Sequence, residues 1–162
     1  MVVLISGTDK QLSIFKSLLR QKVPFVWYTY DFMPKQILEY INIDARSEEV
    51  SNVKLINRLV EAFDEHSDVC YKDCMSVIEN YKADGKEPYC FIVVPNKKMS
   101  KFKTLKAARV NVITDPNLVS GAINEKYSIY DYNLYNAHDK KTMNRKVNDF
   151  LSWCERNREL YE

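Results

Sequence analysis

The residues with the clearest chemical potential lie at the amino terminus. Residues 1–6 (MVVLIS) read as a short buried strand. Gly7 follows, and Leu12, Phe15, Leu18 and Leu19 then recur at helical spacing. A strand, a glycine and a helix in this order form an entry at which backbone N–H groups and a helix N-terminus can hold phosphate. The working pattern is G-x-x-x-x-G-K-[ST], with the lysine on the β/γ-phosphates and the hydroxyl on Mg²⁺. Counted from Gly7, the second glycine falls on Leu12, the lysine on Ser13 and the hydroxyl on Ile14, so only the first glycine remains. Thr8 or Asp9 suits the N-cap of the helix, and an acidic Asp9 competes with phosphate for the helix end. Lys10 and Lys16 lie near enough to reach a phosphate; read plainly, both are solvated helix lysines.

A second group of candidates follows an apolar run. Residues 89–94 (YCFIVV) have the pattern of a strand covered on both faces, and Pro95 and Asn96 end it. Lys97, Lys98, Lys101, Lys103, Lys106 and Arg109 then place six positive charges and no negative one in thirteen residues. Read as a basic helix over 99–108, this stretch suits a phosphate, an acidic partner or a nucleic-acid backbone; as a bland alternative it is a solvated face. Phe102 alone supplies an aromatic ring there, too few for base stacking.

Other reactive side chains form no telling constellation. Cys70, Cys74, Cys90 and Cys154 contain no C-x-x-C pair, and with only His66 and His138 as further soft ligands they read as reduced, packed thiols without a metal. Neither histidine has a Ser or Cys partner at a catalytic spacing. Eleven tyrosines cluster at 28–30 and 127–135, where they suit either an interface or packing under helices.

The elements that must position these residues alternate along the chain. Strands are expected at 2–6, 25–30, 90–94, 110–113 and 129–135. Helices are expected after Gly7, after Asp31 and Pro34 (apolar side Ile37, Leu38, Ile41), around 53–63, around 70–81, after Asp115–Pro116 and over 141–159. Such alternation implies right-handed crossovers and a parallel sheet covered on both faces. A length of 162 residues, 46% hydrophobic and 28% charged residues and a net charge of +2 fit one globular domain over 1–162. They point to neither a nucleic-acid binder nor a membrane-surface protein. No apolar run approaches the ~20 residues of a membrane span. The N-terminal residues lack the basic region and cleavage site of a signal peptide, so a cytoplasmic location is expected. Three glycines are few for a nucleotide-binding α/β chain.

The run EPYCFIVVPNKKMSKFKTLKAARVNVITDP resembles the second half of the phage-type deoxynucleoside monophosphate kinases, where an apolar strand ends in a Pro-Asp-x-Arg-like turn. YDYNLYNAHDKKTMNRKVNDFLS is similar to that family's last strand and helix, MVVLISG to its first strand and loop glycine, and YDFMPKQILEYI to the segment after its second strand. The resemblance implies a three-layer P-loop-kinase-like fold with a five-stranded parallel sheet of order 2-3-1-4-5. It also places Asn96 and Lys98 where the family carries its Asp-x-Arg pair. Asn96 supplies no negative charge toward a metal complex, and Lys98 lacks the bidentate fork of arginine.

Phosphoryl transfer depends on loop amides, a lysine, Mg²⁺ and arginine. Their loss together implies a non-catalytic viral relative, in the host cytoplasm, that binds a host or phage protein or a nucleotide and needs no cofactor. An active deoxynucleoside monophosphate kinase using ATP and Mg²⁺ is the alternative, and a nucleic-acid-associated protein using a basic 97–109 helix is a second. The phosphate-site candidates are Gly7, Thr8, Asp9, Lys10, Ser13, Asn96 and Lys98. Ligands of open parallel sheets gather beyond the carboxyl ends of the strands, which makes Lys97, Lys98, Lys101, Tyr30, Asp31, Asn136 and His138 the partner-facing candidates.

Overall fold

The structure is a computed structural model that describes residues 1–45, 49–113, 129–135 and 140–162. Five strands, β1 (Val2–Ser6), β2 (Phe25–Thr29), β3 (Tyr89–Val93), β4 (Ala108–Ile113) and β5 (Tyr132–Tyr135), form a parallel sheet in the order β2-β3-β1-β4-β5. The expected order is the observed one, and each expected strand is present within a few residues. The sheet is flanked by helices: α1 (Asp9–Arg20), α2 (Phe32–Tyr40), α3 (Val50–Ser67), α4 (Val69–Asp84) and α5 (Lys140–Tyr161) among the described residues. None of these is long and apolar enough to cross a membrane. The chain divides into two compact units, one made of Met1–Trp27 and Gly85–Glu162 and the other of Tyr28–Asp84.

In the first unit β1 is central, pairing with β3 on one side (Val3 opposite Phe91) and β4 on the other (Ile5 opposite Val110). All five residues of β1 are buried, which is why its sequence is apolar without alternation. On one face Val3, Ile5, Phe91 and Val110 meet Leu12, Phe15 and Leu19 of α1 and Val147, Phe150 and Cys154 of α5. Phe15 sits at the centre of this layer, its ring 5.5 Å from Phe150 and 6.0 Å from Phe91, edge to face with both. A Phe15→Ala change there would cost about 3–5 kcal/mol.

The second unit is built on helices. Asp68, in the left-handed region at φ 54°, is the single residue between α3 and α4. Ile56 and Val60 of α3 and Cys70, Cys74 and Ile78 of α4 are buried. The four cysteines are all buried and form no disulfide. Burial pushes the Cys90 and Cys154 thiols up to about 12.

One expected element is absent. Residues 99–108 do not form an α-helix. Asn96–Phe102 is a 3₁₀ segment, residues 103–107 turn, and Ala108 already belongs to β4. Met99 and Phe102, three residues apart, are 1% and 0% exposed, and a three-residue spacing matches the 3₁₀ period. The expected helix after Asp115–Pro116 lies outside the described residues.

Candidate functional site

The connection between β1 and α1 consists of two residues, Gly7 and Thr8. Positions 12–14, which the motif count assigns to a phosphate loop, are therefore already helical, and Leu12 N–H donates to the Thr8 carbonyl at 2.9 Å. Thr8 is the N-cap, and its own N–H donates to Gln11 Oε1 at 3.1 Å. Its hydroxyl faces the Gln11 N–H in return, the reciprocal arrangement of a capping box. Gln11 is buried to hold that position. The Thr8 N–H, which a phosphate loop would aim at its ligand, is thus used within the chain. Asp9 adds a carboxylate in the first turn, where an anion would otherwise be favoured.

Gly7 has a packing reason of its own. A Cβ built on it would lie 3.1 Å from Val112 Cβ, 3.2 Å from the Val112 carbonyl oxygen and 3.3 Å from Leu12 Cδ2. A side chain there would force Val112 or Leu12 to shift by a few tenths of an ångström.

The end of β3 lies beside the end of β1, with Val94 N–H donating to the Ile5 carbonyl at 2.9 Å. This arrangement brings Gly7, Thr8, Asp9 and Lys10 onto the carboxyl edge of the sheet with Asn96 and Lys97. Ser13 is on the exposed side of α1, in its second turn. Asn96 accepts a hydrogen bond from the hydroxyl of the buried Tyr130. Lys98 is not the exposed cation expected from the sequence, since it is only 8% exposed, tucked into the 3₁₀ segment beside Met99. Lys97 is exposed and Lys101 half-buried. Asn136 and His138 lie outside the described residues.

Arg109 also departs from the expected basic surface. It is in β4, and its guanidinium donates to the carbonyls of Phe102 at 2.9 Å, Ala107 at 3.2 Å, and Lys103 and Leu105 at 3.3 Å. Five donors in a rigid fork let one side chain tie the whole turn. The six cations of 97–109 therefore share no helical face, which removes the geometry on which the nucleic-acid reading depended.

In the second unit Tyr30 is 1% exposed and its hydroxyl donates to Asp64 at 2.8 and 3.0 Å. It is packed in the core rather than exposed as a partner-facing side chain would be. Tyr28 donates similarly to Asp73 at 2.5 Å. Burial, then the hydrogen bond to its aspartate, raises the pKa of each phenol. Asp31 pairs with Lys35 at 2.8 Å across one turn of α2.

What the sequence reading missed is on α2. Ile37 and Ile41, expected to face the core, are 39% and 56% exposed, and only Pro34 and Leu38 of the helix are buried. Phe32, Met33 and Tyr40 are exposed beside them, Tyr40 at 89%. The signal was present: at 100° per residue, positions 32, 33, 37, 40 and 41 spread over about half the helix circumference, more than one contact face can cover.

No protein-family model matches the sequence, and no curated protein matches it. Solved structures do. Dephospho-CoA kinase from Campylobacter jejuni is similar over 93% of this chain and 94% of its own, with a TM-score of 0.60 and 11% identity. The chain has a P-loop-kinase-like fold. The Thermus thermophilus protein TT1252 is similar over 94% of this chain and 96% of its own, with a TM-score of 0.56 and 12% identity. At these identities the likeness is one of fold.

Proposed function

We propose that this protein is a non-catalytic relative of the nucleotide kinases that acts by binding a protein partner, in a viral setting and in the host cytoplasm. The observation that carries this reading is the β1–α1 connection. Its two residues are closed by the Thr8–Gln11 cap, and its glycine is accounted for by Val112 rather than by a ligand. Phosphoryl transfer is positioning and charge neutralisation, and the motif positions hold Ser13 and Ile14 in place of the lysine and the Mg²⁺-binding hydroxyl. The exposed apolar side of α2 supports a protein as the partner, because contiguous exposed apolar residues mark interaction surfaces. The phage setting rests on the sequence segments that resemble the phage-type kinases.

The competing reading is an active deoxynucleoside monophosphate kinase using ATP and Mg²⁺. ADP release from Mg-ATP in the presence of each of the four deoxynucleoside monophosphates separates the two. The proposal expects no release above the no-enzyme rate, and turnover with any of the four would overturn it.

A further inference from the structure

The last two turns of α1 carry a second cationic feature, at the opposite end of the helix from Gly7. Lys16 and Arg20 are four residues apart and share a helix face. They top an open cavity of about 400 Å³ walled by Val23, Pro24, Phe25 and Trp27. All of these residues belong to the first unit. The Lys16 ammonium stands 5.0 Å from the centre of the Trp27 ring, and Phe25 meets Trp27 edge to face at 6.0 Å. Burial, and then the neighbouring Arg20, lower the Lys16 pKa. Glu87 also lines the cavity, yet among the described residues neither cation has a carboxylate within ion-pair distance.

This is an unusual arrangement for a solvated helix surface. Like charges four apart on a helix repel, and both would be better placed with an acidic neighbour. Instead they stand at an open, mostly polar concavity with Phe25 and Trp27 in its wall, of the size that small-molecule sites occupy. A ring set against that wall would place an attached anionic group beside both cations.

We propose that this cavity binds a small flat-ringed organic anion, with its ring against Phe25 and Trp27 and its phosphate or carboxylate between Lys16 and Arg20. The two cations favour a dianion over a monoanion, and Glu87 limits the total negative charge that the site accepts. The site is distinct from the carboxyl edge of the sheet and does not depend on any nucleotide being bound there.

The test is a titration with phenyl phosphate, benzoate, inorganic phosphate and phenol, each to about 10 mM, followed through the backbone amides and the Trp27 indole N–H in ¹H–¹⁵N spectra. Phenyl phosphate is expected to bind tightest, with shifts centred on Trp27, Phe25 and the 16–20 turns, and benzoate to follow. Inorganic phosphate and phenol should each be about tenfold weaker, since each lacks one half of the recognition. Lys16→Met and Arg20→Ala should each weaken phenyl phosphate about fivefold or more, and Glu87→Gln should tighten it. Unchanged amide spectra away from the site would show that these variants fold. Binding that survives Lys16→Met with Arg20→Ala, or no shift at 10 mM, would overturn the proposal. Shifts centred instead on Thr8–Gln11 would overturn both this site and the closed β1–α1 turn, whereas kinase turnover alone would leave this site standing.

Discussion

Gly7 passes so close to Val112 that a single added carbon would stand 3.1 Å from the valine Cβ and 3.2 Å from its carbonyl oxygen. Gly7→Ala must therefore push β4 away from the β1–α1 turn, and the neighbours are backbone and a stiff β-branched side chain. The expected loss is about 1–3 kcal/mol, the range for an overpacked core, read from urea unfolding. Were the glycine there for a ligand alone, the alanine variant would unfold at the wild-type midpoint.

Rebuilding the motif should fail for a structural reason. Leu12 is 5% exposed in the first core layer, so Leu12→Gly empties a buried site and puts glycine inside α1. Together with Ser13→Lys and Ile14→Thr, the triple variant should be less stable by about 3 kcal/mol or more. It should also show no Mg-ATP binding by calorimetry. A stable triple variant with a measurable ATP heat would mean that the turn can reopen into a phosphate loop.

The parts of this structure that were legible in the sequence are those governed by local pattern. Residues 1–6 and 89–94 read as buried parallel strands because both their faces are apolar, and the sheet order followed once the kinase resemblance was seen. What remained hidden depends on partners far along the chain. Nothing near Gly7 shows that Val112 will lie against it, and nothing near Tyr30 shows that Asp64 will accept its hydroxyl. Residues 99–108 misled for a different reason. Over so short a stretch, apolar positions three apart fit a 3₁₀ turn as well as an α-helix, and the use of Arg109 as a clip for that turn is invisible without the fold.

The clip itself can be tested. Arg109→Lys keeps the charge, but one ammonium cannot reach the carbonyls of Phe102, Lys103, Leu105 and Ala107 together. The variant should lose roughly 1–3 kcal/mol, and amide hydrogen exchange should speed up over residues 102–107 before it does elsewhere. Unaltered exchange in that turn would show that the four bonds do not hold it.

A pH-dependent contribution is expected at Tyr89, whose buried hydroxyl donates to Glu155. Arg158, at 2.9 Å, and then Tyr89 hold the Glu155 carboxyl below its ordinary value. A depressed carboxyl stabilises the fold above its unfolded pKa, and that stability is lost as pH falls through the folded one. Tyr89→Phe should therefore cost about 1 kcal/mol near neutrality. The gap to wild type should narrow below about pH 4, measured by urea unfolding at a series of pH values. A gap independent of pH would mean that the hydroxyl stabilises by packing alone.

The location of partner binding separates the two candidate surfaces. Lys97 is an exposed cation on the carboxyl edge, while Ile37 and Tyr40 stand at 39% and 89% exposure on α2. Lys98 is buried, and reversing its charge would damage the fold. Exposed positions contribute little to stability, so Lys97→Glu and the pair Ile37→Asp with Tyr40→Asp should both melt within a few degrees of wild type. An apolar interface draws most of its energy from a few large side chains. The aspartate pair should therefore abolish co-purification of the partner, whereas Lys97→Glu should weaken it mainly at low salt. If Lys97→Glu abolishes capture and the α2 pair does not, the partner docks on the carboxyl edge of the sheet and the apolar side of α2 serves another purpose.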